Sequence, residues 1–251
     1  MGKVRDEDPA QLTDFKLLSF DVYSTLIDEH GGMFTGLLPL LSKLSDPTPY
    51  TQNRDHTLEE FQAFEWTLQH ENPTLPYPDV LSQAYVLFAK SLSLPVPSAE
   101  EAKAGLRFSN RHLGGLPRYR ARAANPQKYY KLVILSNIDN TSIARTVSGP
   151  LAGVDFDAVY TAQKIGSYKP DLKNFEELGV KKEEVLHTAQ SLTHDCVPAK
   201  TMGMSSVWID RDGQDEKLKS LKESVNFTWR FETLGEMAEA AEKAFQSKAS
   251  S

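Results

Sequence analysis

The stretch from Phe15 to Glu29 constrains the fold more than any other. An apolar run, Phe15, Leu17, Leu18 and Phe20, stops at a carboxylate, Asp21, and Tyr23, Ser24 and Thr25 follow within four residues. Such a run reads as a buried strand that delivers an acid at its carboxyl end. In an open parallel sheet, ligands bind outside those ends, so Asp21 would stand where it can act on a substrate. On this stretch alone, a helix cap or turn residue is the more ordinary reading of Asp21.

Three later stretches also end a strand in polar residues: Val133 to Ser136 and Asn137, then Ser167-Tyr168-Lys169-Pro170, then Gln190 to Asp195. From Lys131 onward, strands expected at Leu132–Leu135, after Val154, at Val185–Gln190 and at Ser206–Ile209 alternate with helices at Thr141–Val147 and Pro198–Gly203. That alternation predicts an α/β, doubly wound parallel sheet. No strand pattern interrupts residues 33 to 108. Apolar spacing there predicts helices from Met33 to Leu41, from Thr57, where Thr57-Leu58-Glu59-Glu60 has a capping-box shape, to His70, and from Asp79 to Leu92. The block therefore reads as a helical insertion after the first strand. Residues 1 to 14 read as a loose end, and Leu234 to Phe245 as a closing amphipathic helix.

The 251 residues carry a net charge of -6, which gives no basic surface for nucleic acid and favours small-molecule chemistry. No apolar stretch is long enough for a membrane span, and the start of the chain lacks a signal-peptide core. The one cysteine, Cys196, excludes an internal disulfide and fits a reducing compartment, so a cytoplasmic protein is expected. Cys196 itself reads as a small buried residue, because no activating pair precedes it.

In order and separation, these four blocks resemble the motifs of the haloacid dehalogenase superfamily, and most of all its L-2-haloacid dehalogenase branch, over about Asp14 to Arg211. There the first block typically reads Asp-x-Tyr-Gly-Thr-Leu; here Ser24 replaces the glycine. The resemblance implies a Rossmann-like core of residues 1–30 and 119–251. It also implies a helical cap of residues 31–118 that closes over the active site. It makes Asp21 a nucleophile that attacks the carbon bearing the halogen, giving an ester that water cleaves. Lys169 would lower its pKa and hold it, Thr25 and Ser136 would hydrogen-bond around it, and Asp195 would pair with Lys169 and orient water. Substrate contacts would fall on Tyr23, on Asn137 through amide donors to the halide, on Ser191, and on Arg54. Without the resemblance, Lys169 reads as a solvated lysine, Asn137 as a turn residue and Arg54 as a surface arginine.

Tyr23 discriminates between activities. Superfamily phosphatases carry a second aspartate there to protonate the leaving alcohol, whereas a halide leaves without a proton. The resemblance thus implies a short 2-haloacid as substrate and no cofactor or metal; magnesium on Asp21 and Asp195 would accompany a phosphatase. Neither nucleic acid nor membrane is an expected partner, and homodimer formation stays open.

Several features depart from the pattern. The position of the family's substrate-binding arginine falls near Glu59, Leu192 replaces an asparagine, and Phe175 replaces a tyrosine. Residues 111 to 127 carry four arginines and no acid, as an error in the gene model or a divergent basic loop would. A helix of several turns is cut to a stub at 174–179, which predicts an uncovered sheet face at about 25 cal/mol per Å² of wet apolar surface. A phosphatase or a catalytically silent relative is the alternative these departures raise.

Overall fold

The computed structural model describes residues 10–45, 47–105, 126–211 and 213–250. Six strands form one parallel sheet: β1 (Leu17–Phe20), β2 (Lys131–Ser136), β3 (Ala158–Thr161), β4 (Val185–Ala189), β5 (Ser205–Ile209) and β6 (Trp229–Phe231). They lie in the order β3-β2-β1-β4-β5-β6. Every residue of β1 and β4 is buried, because apolar side chains project to both faces and both are covered. Leu17 sits opposite Lys131 and Val185, and Ser19 opposite His187. Strand order reverses between β1 and β4, which places the crevice for a ligand at their carboxyl ends.

One face packs Leu18, Phe20, Ile134 and Leu186 with the closing helix, Leu234–Ala249. The opposite face packs Leu17, Val133, Leu135 and Val185. The shortened segment leaves a single-turn helix at Lys173–Glu176, yet the predicted bare face is absent over the central strands. Phe175 and Leu178 turn inward with Ala199 and Met204, so Val133 is only 3% exposed and Val185 fully buried. The packing residues survive although the helix between them is short. The start of the described chain is also firmer than expected: Leu12–Asp14 forms a helical turn, Leu12 is buried, and Tyr130 donates a hydrogen bond to its carbonyl at 2.9 Å.

Among the described residues, five α-helices lie between β1 and β2: α1 (Glu29–Leu41), α2 (Pro49–Gln52), α3 (Arg54–Glu71), α4 (Tyr77–Ser91) and α5 (Ala99–Gly105). α3 starts three residues before the expected cap. Asn53 accepts from the His56 N–H at 3.1 Å, while the Thr57 hydroxyl donates to the carbonyls of Tyr50 and Asn53 from inside the helix. Phe61 and Phe88 meet edge to face at 5.8 Å and join α3 to α4. Residues 111–125 of the basic run lie outside the described residues. Among the described residues, no helix is long and apolar enough to cross a membrane.

Candidate active site

Parallel strands bring the polar ends of β1, β2 and β4 to one edge, where they line a cavity of about 830 Å³ together with α1 and α3. Asp21 follows β1 directly, with its backbone N–H bonded to the Thr188 carbonyl at 3.1 Å. Its side chain is 11% exposed and is held on both oxygens: Lys169 Nζ donates to Oδ1 at 2.9 Å, and the Thr25 hydroxyl to Oδ2 at 2.7 Å. Thr25 Oγ1 in turn accepts from the Gln190 N–H at 2.9 Å, which locks the loop after β1 to the end of β4. That loop passes through Ser24 at φ +66°, in the left-handed region where a glycine would be unstrained.

Lys169 is 2% exposed, and all three of its ammonium protons are used: on Asp21, on Asp195 Oδ1 at 2.6 Å and on the Leu135 carbonyl at 3.0 Å. Burial works against its charge, but the two carboxylates outweigh burial and raise its pKa. Burial would likewise raise Asp195, yet Lys169 and His187 bring it down to about 2. For Asp21 the balance is the reverse of the expected lowering. Burial and the charge of Asp195 exceed the pull of Lys169 and Thr25, so its pKa lies above the ordinary aspartate value. Lys169 does pull downward; desolvation is the larger influence.

Asn137 also takes part in holding Lys169. Its Oδ1 accepts from the Lys169 N–H at 2.6 Å and its Nδ2 donates to the Lys169 carbonyl at 2.9 Å. The amide clamps the backbone that presents the lysine, and one of its two Nδ2 hydrogens is taken up in doing so. Ser136, at the end of β2, lines the cavity with a buried hydroxyl that has no hydrogen-bond partner among the described residues. Tyr23 also lines the cavity, and its hydroxyl lies 3.0 Å from Thr146 Oγ1. Ser191 caps the helical turn Leu192–Cys196 by accepting from the His194 N–H at 3.1 Å. Arg54 lines the cavity from the first turn of α3, exposed, with its guanidinium 5.9 Å from the Phe34 ring centroid. Glu59 lines it too.

Several residues of the site were not singled out in the sequence. His187 Nε2 lies 2.8 Å from Asp195 Oδ1, and its Nδ1 lies 2.8 Å from Ser19 Oγ. With Asp195 ionised, Nε2 is the donor. Ser19 and His187 are fully buried, so this Ser-His-Asp chain positions Asp195 and cannot meet a substrate. Phe175 packs edge-on against the same imidazole at 5.2 Å. The signal was a pair of polar residues at facing positions of two otherwise apolar strands. On the helical side, Tyr77 Oη lies 3.0 Å from Glu65 Oε1 and 3.3 Å from Glu29 Oε1. Burial first, and then a neighbouring carboxylate, push Glu29 up to about 7 and Glu65 up to about 8. Trp66 of α3 meets His194 at 4.9 Å, across the cavity lining. Burial brings His194 down to about 4, so it is neutral at physiological pH.

This sheet order, with a helical insertion after β1, is the haloacid dehalogenase-like fold. The L-2-haloacid dehalogenase from Xanthobacter autotrophicus superposes with a TM-score of 0.73 at 19% identity, over 91% of this chain and 98% of that one. The same enzyme with chloropropionic acid covalently bound gives 0.71 at 18% identity, over 91% and 98%. YfnB from Bacillus subtilis, bound to magnesium, gives 0.68 at 16% identity, over 91% and 99%. No protein-family model matches the sequence, and no curated protein matches it significantly.

Proposed function

We propose that the protein is a hydrolase of the L-2-haloacid dehalogenase type, with Asp21 as its nucleophile. The observation that carries this reading is the Asp21 carboxylate, fixed between Lys169 and Thr25 at the carboxyl end of the central strand and open to the cavity. One carboxylate oxygen forms a bond to C2 of a short 2-haloacid as the carbon–halogen bond breaks and halide leaves with the electron pair. Water then adds at the aspartyl ester carbonyl; the hydroxy acid departs, and the carboxylate is restored with release of a proton. Lys169 keeps Asp21 oriented through both steps, and Asn137 keeps Lys169 in place. The helical insertion acts as the cap that excludes water, with Trp66 and His194 at its junction with the core. Halide release from 2-chloropropionate, abolished in Asp21→Asn, is the expected result. No release from a panel of short haloacids by folded protein would overturn the reading.

One observation favours a phosphatase on the same scaffold: Asp195 Oδ2 is buried without a hydrogen-bond partner among the described residues, as an oxygen reserved for a cation would be. Asp21 and Asp195 would then hold magnesium, which would neutralise charge on a transferred phosphoryl group. Tyr23 speaks against it, since the position offers no carboxylic acid for the leaving alcohol. Magnesium-dependent phosphate release from an aryl phosphate, without halide release, would select this second reading.

A further inference from the structure

Lys169 and Asp195, which meet at 2.6 Å, each follow directly after a residue that touches the helical insertion. Before Lys169, the Tyr168 hydroxyl donates to the Leu75 carbonyl at 2.6 Å, in the turn that leads into α4. Before Asp195, the His194 ring meets Trp66 of α3 at 4.9 Å and 60°. The segment that carries Lys169 is thus gripped from two sides. Asn137 clamps its backbone from the sheet, and Leu75 holds the neighbouring side chain from the insertion. Tyr168 is 7% exposed, and the cavity lining among the described residues does not include it, so its hydroxyl acts on a ligand only through other residues. Phenylalanine would fill nearly the same volume at this position. What the hydroxyl adds is a directed link, anchored one residue from the lysine that steadies the nucleophile.

We propose that Tyr168 is a positioning residue: its hydrogen bond to Leu75 ties the seating of the helical insertion to the seating of Lys169 against Asp21 and Asp195, with Trp66 and His194 as a second tie. The insertion, drawn onto the core around a bound substrate, carries Leu75 and Trp66 with it. It then holds Tyr168 and the turn Leu192–Cys196 in the arrangement where Lys169 meets both carboxylates. With the insertion lifted, Tyr168 and His194 lose these partners, and the approach to Lys169 is held from the core alone. Bond formation to carbon needs the carboxylate correctly aimed, and a misplacement of about 1 Å is enough to slow such a step roughly a hundredfold. Chemistry therefore proceeds only under a seated insertion. The inference rests on the reading of Asp21 as the nucleophile and of the insertion as a cap; the tie itself stands on the two contacts.

Tyr168→Phe keeps the ring and removes only the link. With 2-chloropropionate it should lower kcat at least about tenfold and move KM less than about threefold, because an interaction made in the transition state is lost while binding is kept. A residue that only supported the fold would lower the melting temperature and leave kcat per folded molecule unchanged. Trp66→Ala should cost less in kcat on the Tyr168→Phe background than on the wild type, because both contacts serve one seating. Acrylamide quenching gives a readout that needs no turnover, with the emission of Trp66 isolated by subtracting the matching Trp66→Phe protein. In Tyr168→Phe, Trp66 should be quenched about twofold more strongly than in the wild type, as a loosened insertion exposes it. Kcat unchanged in Tyr168→Phe, effects of the two substitutions that simply multiply, or Trp66 quenching unchanged in Tyr168→Phe would each overturn the proposal. Any of these alongside halide release by the wild type defeats this inference alone. Stronger Trp66 quenching in Tyr168→Phe, with no halide released by the wild type, supports the tie and defeats the hydrolase reading alone.

Discussion

Replacing Glu65 with glutamine should remove a titration while keeping the shape of the pocket. Glu65 is 6% exposed, and burial, helped by Glu29, lifts its carboxyl from 4.5 to about 8. A carboxyl raised on folding binds more protons in the native chain than in the unfolded one between those two values. Stability therefore falls as pH climbs from about 4.5 to about 8, and the loss is complete above that. At about 1.4 kcal/mol per pH unit, the loss is on the order of 5 kcal/mol, a large share of the roughly 5–15 kcal/mol that holds a folded chain together. Glutamine imitates the protonated acid and does not titrate. At pH 5 the variant should match the wild type within about 1 kcal/mol, and at pH 9 it should be the more stable by several. Guanidinium unfolding at pH 5, 7 and 9 measures both differences. At roughly 2–4 °C per kcal/mol, a melt at pH 9 should show the variant higher by about 10–20 °C. Glu29 keeps its own slope, ending near pH 7, in both proteins. Parallel stability curves for the two proteins would refute the claim that Glu65 is held protonated by burial.

Asp21→Asn should lower halide release from 2-chloropropionate by at least about a thousandfold, read by ion-selective electrode, with an intact cooperative melt, because Lys169 keeps Asp195 as partner. Lys169→Met should cost about 3–5 kcal/mol in chemical denaturation, since two buried carboxyls lose their common cation; a cost below about 1 kcal/mol would contradict the charge arrangement. Cys196 is fully buried, and burial pushes its thiol up, so the native protein should resist iodoacetamide at pH 8 and react fully once unfolded; prompt native labelling would refute that.

The α/β alternation and the strand ends were legible because apolar runs that stop at polar residues report burial and position together. Asp21, Ser136, Lys169 and Asp195 line one cavity, with Thr25 buried behind Asp21, because parallel strands deliver their carboxyl ends to a single edge. β6 was not legible, as Trp229–Phe231 is three residues of an edge strand with an arginine at its centre. Neither was the covered face at 174–179: helix length could be counted from the sequence, but the inward turn of Phe175 and Leu178 depends on tertiary packing.

The helical side of the cavity was illegible for a more general reason. α3 alternates Leu58, Phe61 and Leu68, which pack inward, with Glu59, Gln62, Trp66 and Gln69 on another face. Helical periodicity separates apolar from polar faces, and a polar face reads as solvated by default. Glu59, Gln62, Trp66 and Gln69, turned toward a wet cavity, carry the same pattern as residues turned toward bulk water. Glu65, by contrast, falls on the inward stripe itself, four residues after Phe61 and three before Leu68, where an acid among apolar positions was the signal that went unread. What separates the two is the dielectric around the side chain, and that is set by α1 and α4, whose Glu29 and Tyr77 close over it from 36 and 12 residues away. A buried carboxyl without a cation is costly to a fold, and Glu65 stays affordable by keeping a proton. At alkaline pH that proton is lost, and the uncompensated charge becomes a cost that the rest of the core must carry.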